Sequence, residues 1–360
     1  MIAGFIPPDD RSWQEFLREV PHDFYHRPEY VSFAGRHEGG LPTAFLVREG
    51  EAGMLIPLLL RVLPETLGAP RAWRDAGSPY GYPSPLLHPA TEPRQVESFL
   101  RAFIRCCREL DIITVFLRFH PLLSCSLREF TECGSVMHHG RTVWIDLTAN
   151  SEDLWRHTRL NHRRGIAKLQ QTGFFARIDH WNDRQGFIEA YAATMERLQA
   201  HSFYRFSERY FSDLQEALGR RLHLCAVISP EREVAAAGLF TVMDGLVQYH
   251  LGGTSQKYLD QAPSKLMFCY VRDWAKEVGN TTFHLGGGVG GRDDTLFRFK
   301  QGFSNLTSDF YTCRMVMNQV RYSCLSRKFM EVKGSISSEM EEYFPLYRGG
   351  FCLLNNLNNE

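Results

Sequence analysis

The sequence predicts an α+β protein built from two consecutive domains, each a mixed sheet flanked by helices. Three observations lead there: the length of the chain, the order of elements in its second half, and a tight hairpin inside that order. At 360 residues the chain is longer than one hydrophobic core usually grows, so two domains are the expectation. Apolar residues at 44% and charged residues at 23% are ordinary for a packed globular protein and argue against disorder. The expected domains are residues 1–145 and 146–345, meeting near Thr142–Asn150, with 346–360 as a tail.

The first half opens with a helical stretch from Ser12 to Val20, then strands around Thr43–Val47 and Gly53–Leu60. Gly77-Ser-Pro-Tyr-Gly-Tyr-Pro-Ser-Pro85 follows, whose glycines and prolines exclude regular structure. An amphipathic helix is expected from about Pro93 to Glu109, with proline in the first turn and Thr91 as cap. Strands at Ile112–Phe119 and Thr142–Leu147 close this half, and His138-His139 reads as a loop pair.

The second half starts with one basic helix, Ser151 to Gln171, and two more at Arg184–Ala200 and Ser207–Leu218. A meander then runs through His223–Ser229, Val234–Met243 and Gly245–Leu251. Its second turn is Met243-Asp-Gly245, and Asp-Gly supplies the positive dihedrals of a two-residue hairpin. A helix from Pro263 to Val278 and a strand from Thr281 to Leu285, ending in glycines, complete the order. No internal repeat is visible at residue level.

Composition narrows the function classes. Lys plus Arg and Asp plus Glu number 41 each, so the molecule carries no net charge. A protein held mainly by nucleic-acid phosphates carries a basic excess, so any RNA contact must come from a local patch. Arg156 to Lys168, RHTRLNHRRGIAK, is the candidate, and a solvated helix face is the competing reading. Aromatics at 13% fit either a substrate groove or a large core. The nine cysteines form no C-x-x-C pair, which predicts buried free thiols, no disulfide and no metal. MIAGFIPPDDRSW is no signal peptide, and Met54 to Leu60 is too short to span a bilayer, so the expected location is the cytoplasm. H-E-x-x-H, G-x-S-x-G and Walker lysine motifs are all missing. Gly286-x-Gly288-x-x-Gly291 matches the dinucleotide fingerprint in letters only, because no long amphipathic helix follows it.

Three segments carry a family resemblance. Leu160-Asn-His-Arg-Arg-Gly-Ile-Ala-Lys-Leu169 has an N-x-R-R-x-x-x-K pattern. Tyr249-His-Leu-Gly-Gly-Thr254 leads to Ala262-Pro-Ser-Lys-Leu266. Phe283-His-Leu-Gly-Gly-Gly288 continues to Leu296-Phe-Arg-Phe-Lys-Gln-Gly-Phe-Ser304. Together, with weaker support from Ser78-Pro-Tyr-Gly-Tyr82, they resemble the Fem-like transferases of the GNAT superfamily over roughly residues 20–310. The order helix, helix, three-strand meander, helix, strand is also that of the GNAT fold. His284 stands where the family often has Asp, which puts a carboxylate role at that strand in doubt.

The resemblance implies two fused GNAT domains that transfer an acyl group to an amine, with aminoacyl-tRNA as donor and a cell-wall precursor or peptide-like metabolite as acceptor. Such a reaction needs no resident cofactor; it needs positive charge where an oxyanion develops. The resemblance gives that role to Lys300, with Phe299 as the wall beside it; without the resemblance Lys300 reads as a surface lysine ending a strand. Candidate substrate contacts are Arg163, Arg164, Lys168, Tyr80, Tyr82, Tyr249, Gly253, Arg298 and Asp294. Asp293 and Asp294 are equally suited to capping the segment that starts at Thr295. An acyl-CoA donor is the alternative, opposed by Gln256-Lys-Tyr-Leu-Asp-Gln-Ala-Pro-Ser264, which lacks the glycines of a pyrophosphate turn. A third reading is a non-catalytic binder of a peptide or glycolipid precursor.

Overall fold

The computed structural model describes residues 1–334, 340 and 342–349. The strands in chain order are β1 (Ile2–Ile6), β2 (Leu41–Glu49), β3 (Ala52–Val62), β4 (Arg74–Gly77), β5 (Leu86–Leu87), β6 (Ile112–Arg118), β7 (Ser135–Asp146), β8 (Phe175–Ile178), β9 (Leu222–Ile228), β10 (Val234–Met243), β11 (Leu246–Thr254), β12 (Thr282–Gly287) and β13 (Thr307–Val316). The helices are α1 (Arg11–Glu19), α2 (Pro28–Ala34), α3 (Pro93–Glu109), α4 (Arg128–Cys133), α5 (Ser151–His157), α6 (Leu160–Gln171), α7 (Arg184–Arg197), α8 (Glu208–Leu218), α9 (Ser264–Glu277), α10 (Thr295–Lys300) and α11 (Gln319–Lys333).

The chain forms two compact units. One comprises Met1–His138 with the described residues from Tyr311 onward, and the other His139–Phe310. The sequence placed the divide at 145/146 and kept everything to 345 in the second domain; residues 346–349 of the expected tail are in the first unit, and 350–360 lie outside the described residues.

In the first unit the sheet order is β1-β2-β3-β4-β6-β13, with β5 paired to β3. All neighbours are antiparallel except β4 and β6, which the α3 crossover makes parallel. One core lies under α3, where Phe99 and Phe103 meet Phe45, Val115 and Leu117; another gathers Trp13, Phe16 and Val31 from α1 and α2. The α3 cap is Glu92, whose backbone N–H is held by Gln95, and not Thr91, which instead hydrogen-bonds the backbone of Gly53.

The second unit repeats the plan in the order β7-β12-β11-β10-β9-β8. Again one pair is parallel, β11 with β12, joined by the crossover helix α9. The duplication expected from the resemblance is therefore present as topology. The core packs Phe268 and Val271 of α9 against Phe240, Val247 and Phe283, while α7 covers β10 and β11.

Two local expectations fail for identifiable reasons. The basic helix is two helices, because Thr158 and Arg159 turn extended after α5 and the Arg159 N–H bonds the Gly302 carbonyl at 2.7 Å. His157 and His162 therefore lie on separate helices. His138 and His139 belong to β7, which starts at Ser135 rather than Thr142.

Gly253 shows how closely α7 approaches β11. A Cβ there would sit 2.3 Å from the Ala190 carbonyl oxygen and 2.6 Å from the Tyr191 Cα. Both obstacles are backbone, so relief requires moving the helix. Gly253→Ala should lower unfolding free energy by about 1–3 kcal/mol, measurable by urea denaturation, whereas Gly50→Ala should act only through its positive φ of +63°, since no atom lies within 4 Å of its added Cβ.

Candidate active site

The site grows from the place where β11 and β12 part. Their parallel pairing holds for Leu246↔Thr282, Val247↔Phe283 and Gln248↔His284, and then stops. Each strand carries an irregularity just beyond the last pair. Opposite β10, Leu239 pairs with Leu251 and Phe240 with Tyr249, which leaves His250 as an extra residue on β11. Opposite β7, Trp144 pairs with His284 and Val143 with Gly286, which leaves Leu285 extra on β12. Bulges bend strands and increase their twist, and Gly286 continues the turn with φ +76°. At the vertex the buried His284 donates from Nδ1 to Gln248 Oε1 at 2.6 Å, and Gln248 donates to the Tyr249 carbonyl at 3.1 Å.

Lys300 ends α10 and reaches into this parting. It is 5% exposed, so it is neither a surface lysine nor the end of a strand. Its Nζ donates to the Gly287 carbonyl at 2.6 Å and lies 5.7 Å from the centre of the Tyr249 ring. The ammonium thus touches the end of β12 and the ring rooted on β11. Burial pushes its pKa down to about 7, and the field of Asp294 opposes that only in part. Burial also raises the Tyr249 hydroxyl above its ordinary value.

Asp294 is the N-cap of α10: Oδ1 accepts from the Phe297 N–H at 2.8 Å and Oδ2 from the Val289 N–H at 2.9 Å. Burial pushes its carboxyl upward, but the N–H groups of Phe297, Val289 and Leu296 outweigh this and hold it below the usual value. Asp293 pairs with Arg141.

The other end of α10 is clamped by α6. His162 Nε2 donates to the Phe299 carbonyl at 2.9 Å, and its ring packs on Phe299 and Phe303. Gly302 makes room for that ring, since a Cβ there would lie 2.2 Å from His162 Nε2. Burial holds the His162 pKa below its ordinary value. Arg163 is half-buried, while Arg164, Lys168 and Arg298 are exposed. Among the described residues no carboxylate pairs with any of the four, and Arg163 Nε is shielded from water without a hydrogen-bond partner.

Of the residues predicted from sequence, Lys300, Phe299, Tyr249 and Asp294 come together here, with the α6 cations carried by the same clamp. Gly253 instead lies against α7. Tyr80 and Tyr82 belong to the first unit, where the Tyr80 N–H bonds Glu38 and the Tyr82 ring packs on Tyr25 and His120. Sequence reasoning missed His162, Gln248 and the Gln248–His284 pair. The glycine of F-K-x-G-F-S was the usable signal for His162, because its missing side chain is where the imidazole sits. No group of His, Cys, Asp and Glu among the described residues has the arrangement of a metal site.

Residues 156–301 match the acetyltransferase (GNAT) domain family. No curated protein sequence matches the chain. Among solved structures, FemX superposes with a TM-score of 0.67 at 14% identity, over 90% of this chain and 99% of that one. L-PGS from Bacillus licheniformis gives 0.56 at 15%, over 89% and 96%. A tandem GNAT protein from the clavulanic acid biosynthesis pathway gives 0.51 at 11%, over 88% and 98%. The second unit thus contains a segment, residues 156–301, that matches a GNAT acetyltransferase domain. The chain as a whole has the tandem fold of the Fem-like GNAT group.

A buried lysine held near pKa 7 carries a stability signature. Between pH 7 and 10.5 the unfolded chain binds a proton that the folded chain does not, so stability rises with pH through that window. The slope is about 1.4 kcal/mol per pH unit, and the full penalty is present below pH 7. Lys300→Met should therefore be more stable than wild type at neutral pH, with the gap closing as pH approaches 10.5. Thermal unfolding across that range reads it directly.

Proposed function

We propose that this protein is an aminoacyl-tRNA-dependent aminoacyltransferase, forming an amide on an amine of a peptide-like or cell-wall-precursor acceptor. The observation that carries this reading is Lys300, a buried ammonium that donates to the Gly287 carbonyl and lies where two strands part. In the reaction the acceptor nitrogen attacks the ester carbonyl, the C–N bond forms, and negative charge collects on the carbonyl oxygen. The C–O bond then breaks and the ribose oxygen leaves as a hydroxyl, carrying a proton. Lys300 is assigned the oxyanion, because a fixed cation in a shielded site stabilises charge that exists only in the transition state. Charge developing beside it raises its own proton affinity, so a resting pKa near 7 suits the role. Phe299 shapes the wall, and the His162 clamp on its carbonyl holds the α10 end in place.

The donor assignment rests on charge and on backbone accounting. Arg164 and Lys168 lie four residues apart on one face of α6, exposed and without carboxylate partners among the described residues, as phosphate contacts require. A CoA pyrophosphate would instead want bare N–H groups at the start of α9. There the Lys265 N–H bonds the Ala262 carbonyl, and those of Leu266 and Met267 bond Pro263, at 3.0 to 3.2 Å. Tyr80, Tyr82, Tyr249, Arg163, Arg298 and Asp294 remain proposed substrate contacts, and no helix among the described residues is long and apolar enough to cross a membrane.

Lys300→Met should reduce turnover about a hundredfold or more with little change in Michaelis constants, since the lost interaction belongs to the transition state. Transfer at the wild-type rate under saturating substrates would remove Lys300 from the chemistry. Charged tRNAs screened against acyl-CoAs as donors decide the donor class; turnover with acyl-CoA alone would overturn the tRNA reading. Separately, Arg164→Glu should weaken donor binding and flatten its dependence on salt by about one ion's worth of slope. Unchanged affinity at all salt concentrations would make α6 a solvated face.

A further inference from the structure

The first unit carries a pair of arginines that the transfer reaction does not use. Arg118 on β6 and Arg314 on β13 point to the same side of the sheet, because Arg118 pairs with Thr312 and Phe116 with Arg314 in an antiparallel ladder. The alternate residues Val115, Leu117, Cys313 and Met315 fill the core on the opposite side. Arg118 and Arg314 are thus diagonal cross-strand neighbours, a separation of roughly 7–8 Å that long side chains bridge.

Among the described residues no acid forms an ion pair with either guanidinium, although Arg118 feels the field of Glu38. Arg118 stacks on Phe116, 5.6 Å from the ring centre, and Arg314 on Phe344 at 5.9 Å. The two rings lie 6.4 Å apart. Stacking fixes the planes and leaves the in-plane N–H donors uncommitted. Among the described residues neither guanidinium makes a hydrogen bond or ion pair, and Arg314 Nε is shielded from water with no acceptor. A buried donor in that state calls for a partner.

The neighbouring charges are already spent. Asp75 is fully buried between Arg61 Nε at 2.8 Å and Arg348 Nε at 2.5 Å. Glu38 spends both carboxyl oxygens on the Tyr80 N–H, at 3.0 and 3.1 Å. Burial pushes Glu38 up to about 7 against the pull of that N–H, Arg118 and Arg61, so it offsets the charge of Arg118 only in part. Bound water would satisfy a donor but would leave positive charge unmatched.

We propose that Arg118 and Arg314 form a binding site for an oxyanion, a phosphate or carboxylate group of a ligand of the first unit. Two stacked guanidinium forks suit the paired oxygens of either group. The site is independent of Lys300 and of the donor assignment above.

The test is calorimetric titration and thermal shift of the full chain at low ionic strength. Inorganic phosphate, pyrophosphate and succinate serve as probes, and the proteins are wild type, Arg118→Gln, Arg314→Gln and the control Arg209→Gln, an exposed arginine of α8. At least one probe should bind and raise the melting temperature of wild type and the control. Each of the two variants should weaken that binding about tenfold or more. Preference for phosphate and pyrophosphate assigns the site to phosphate, and preference for succinate assigns it to carboxylate. Arg118→Gln removes no hydrogen bond, so it should fold and remain readable if Arg314→Gln does not. No binding to wild type, equal binding by all four proteins, or loss of fold in both variants by circular dichroism would overturn the proposal.

Discussion

The second unit depends on the point at which β11 and β12 stop pairing. A parallel ladder that continued past Gln248 and His284 would close the sheet and leave no room for Lys300 beside Gly287 and Tyr249. Two bulged residues, His250 and Leu285, end it on both strands at the same level. The buried Gln248–His284 hydrogen bond pins the vertex, so the opening has a fixed depth. A histidine at that position supplies a donor to an amide; it does not restore the carboxylate the family often carries there.

Burying an unpaired ammonium opposes folding, and the surroundings of α10 show how the segment is held regardless. Asp294 caps one end with two backbone N–H groups, while His162 grips the carbonyl of Phe299 at the other. Around them Phe268, Phe299 and Phe303 pack with ring centres 5.5 to 5.8 Å apart. The helix has six residues, too few to be stable alone. Its geometry comes from these tertiary contacts, and so does the position of Lys300.

Much of the element order was legible in the sequence because periodicity and turn chemistry speak locally. The Asp244-Gly245 turn, the β9–β10–β11 meander and the α9 crossover were read from such signals, and the GNAT order followed. The candidate site was legible mainly through a motif: nothing local to F-K-Q-G-F-S shows that its lysine is buried, since that follows in part from β11, about fifty residues upstream. The break at Thr158–Arg159 was hidden because the residues on either side are good helix formers and the competing bond comes from Gly302. The partition of the chain was hidden for a similar reason. Strand β13 pairs with β6 through residues nearly two hundred positions away, and no window along the chain reports that.

The extra residue at His250 also reverses the alternation of β11. Val247 and Tyr249 face the α9 core, whereas Leu251 and Gly253, which would share that side in a regular strand, turn toward α7. Side-chain identity in this stretch can vary within the limits of volume, but its length cannot. Deleting His250 would leave every later side chain facing its present layer, but it would remove the bulge whose bend coincides with the end of the β11–β12 pairing. Homologous chains aligned across this segment should therefore differ by substitution and show no gap.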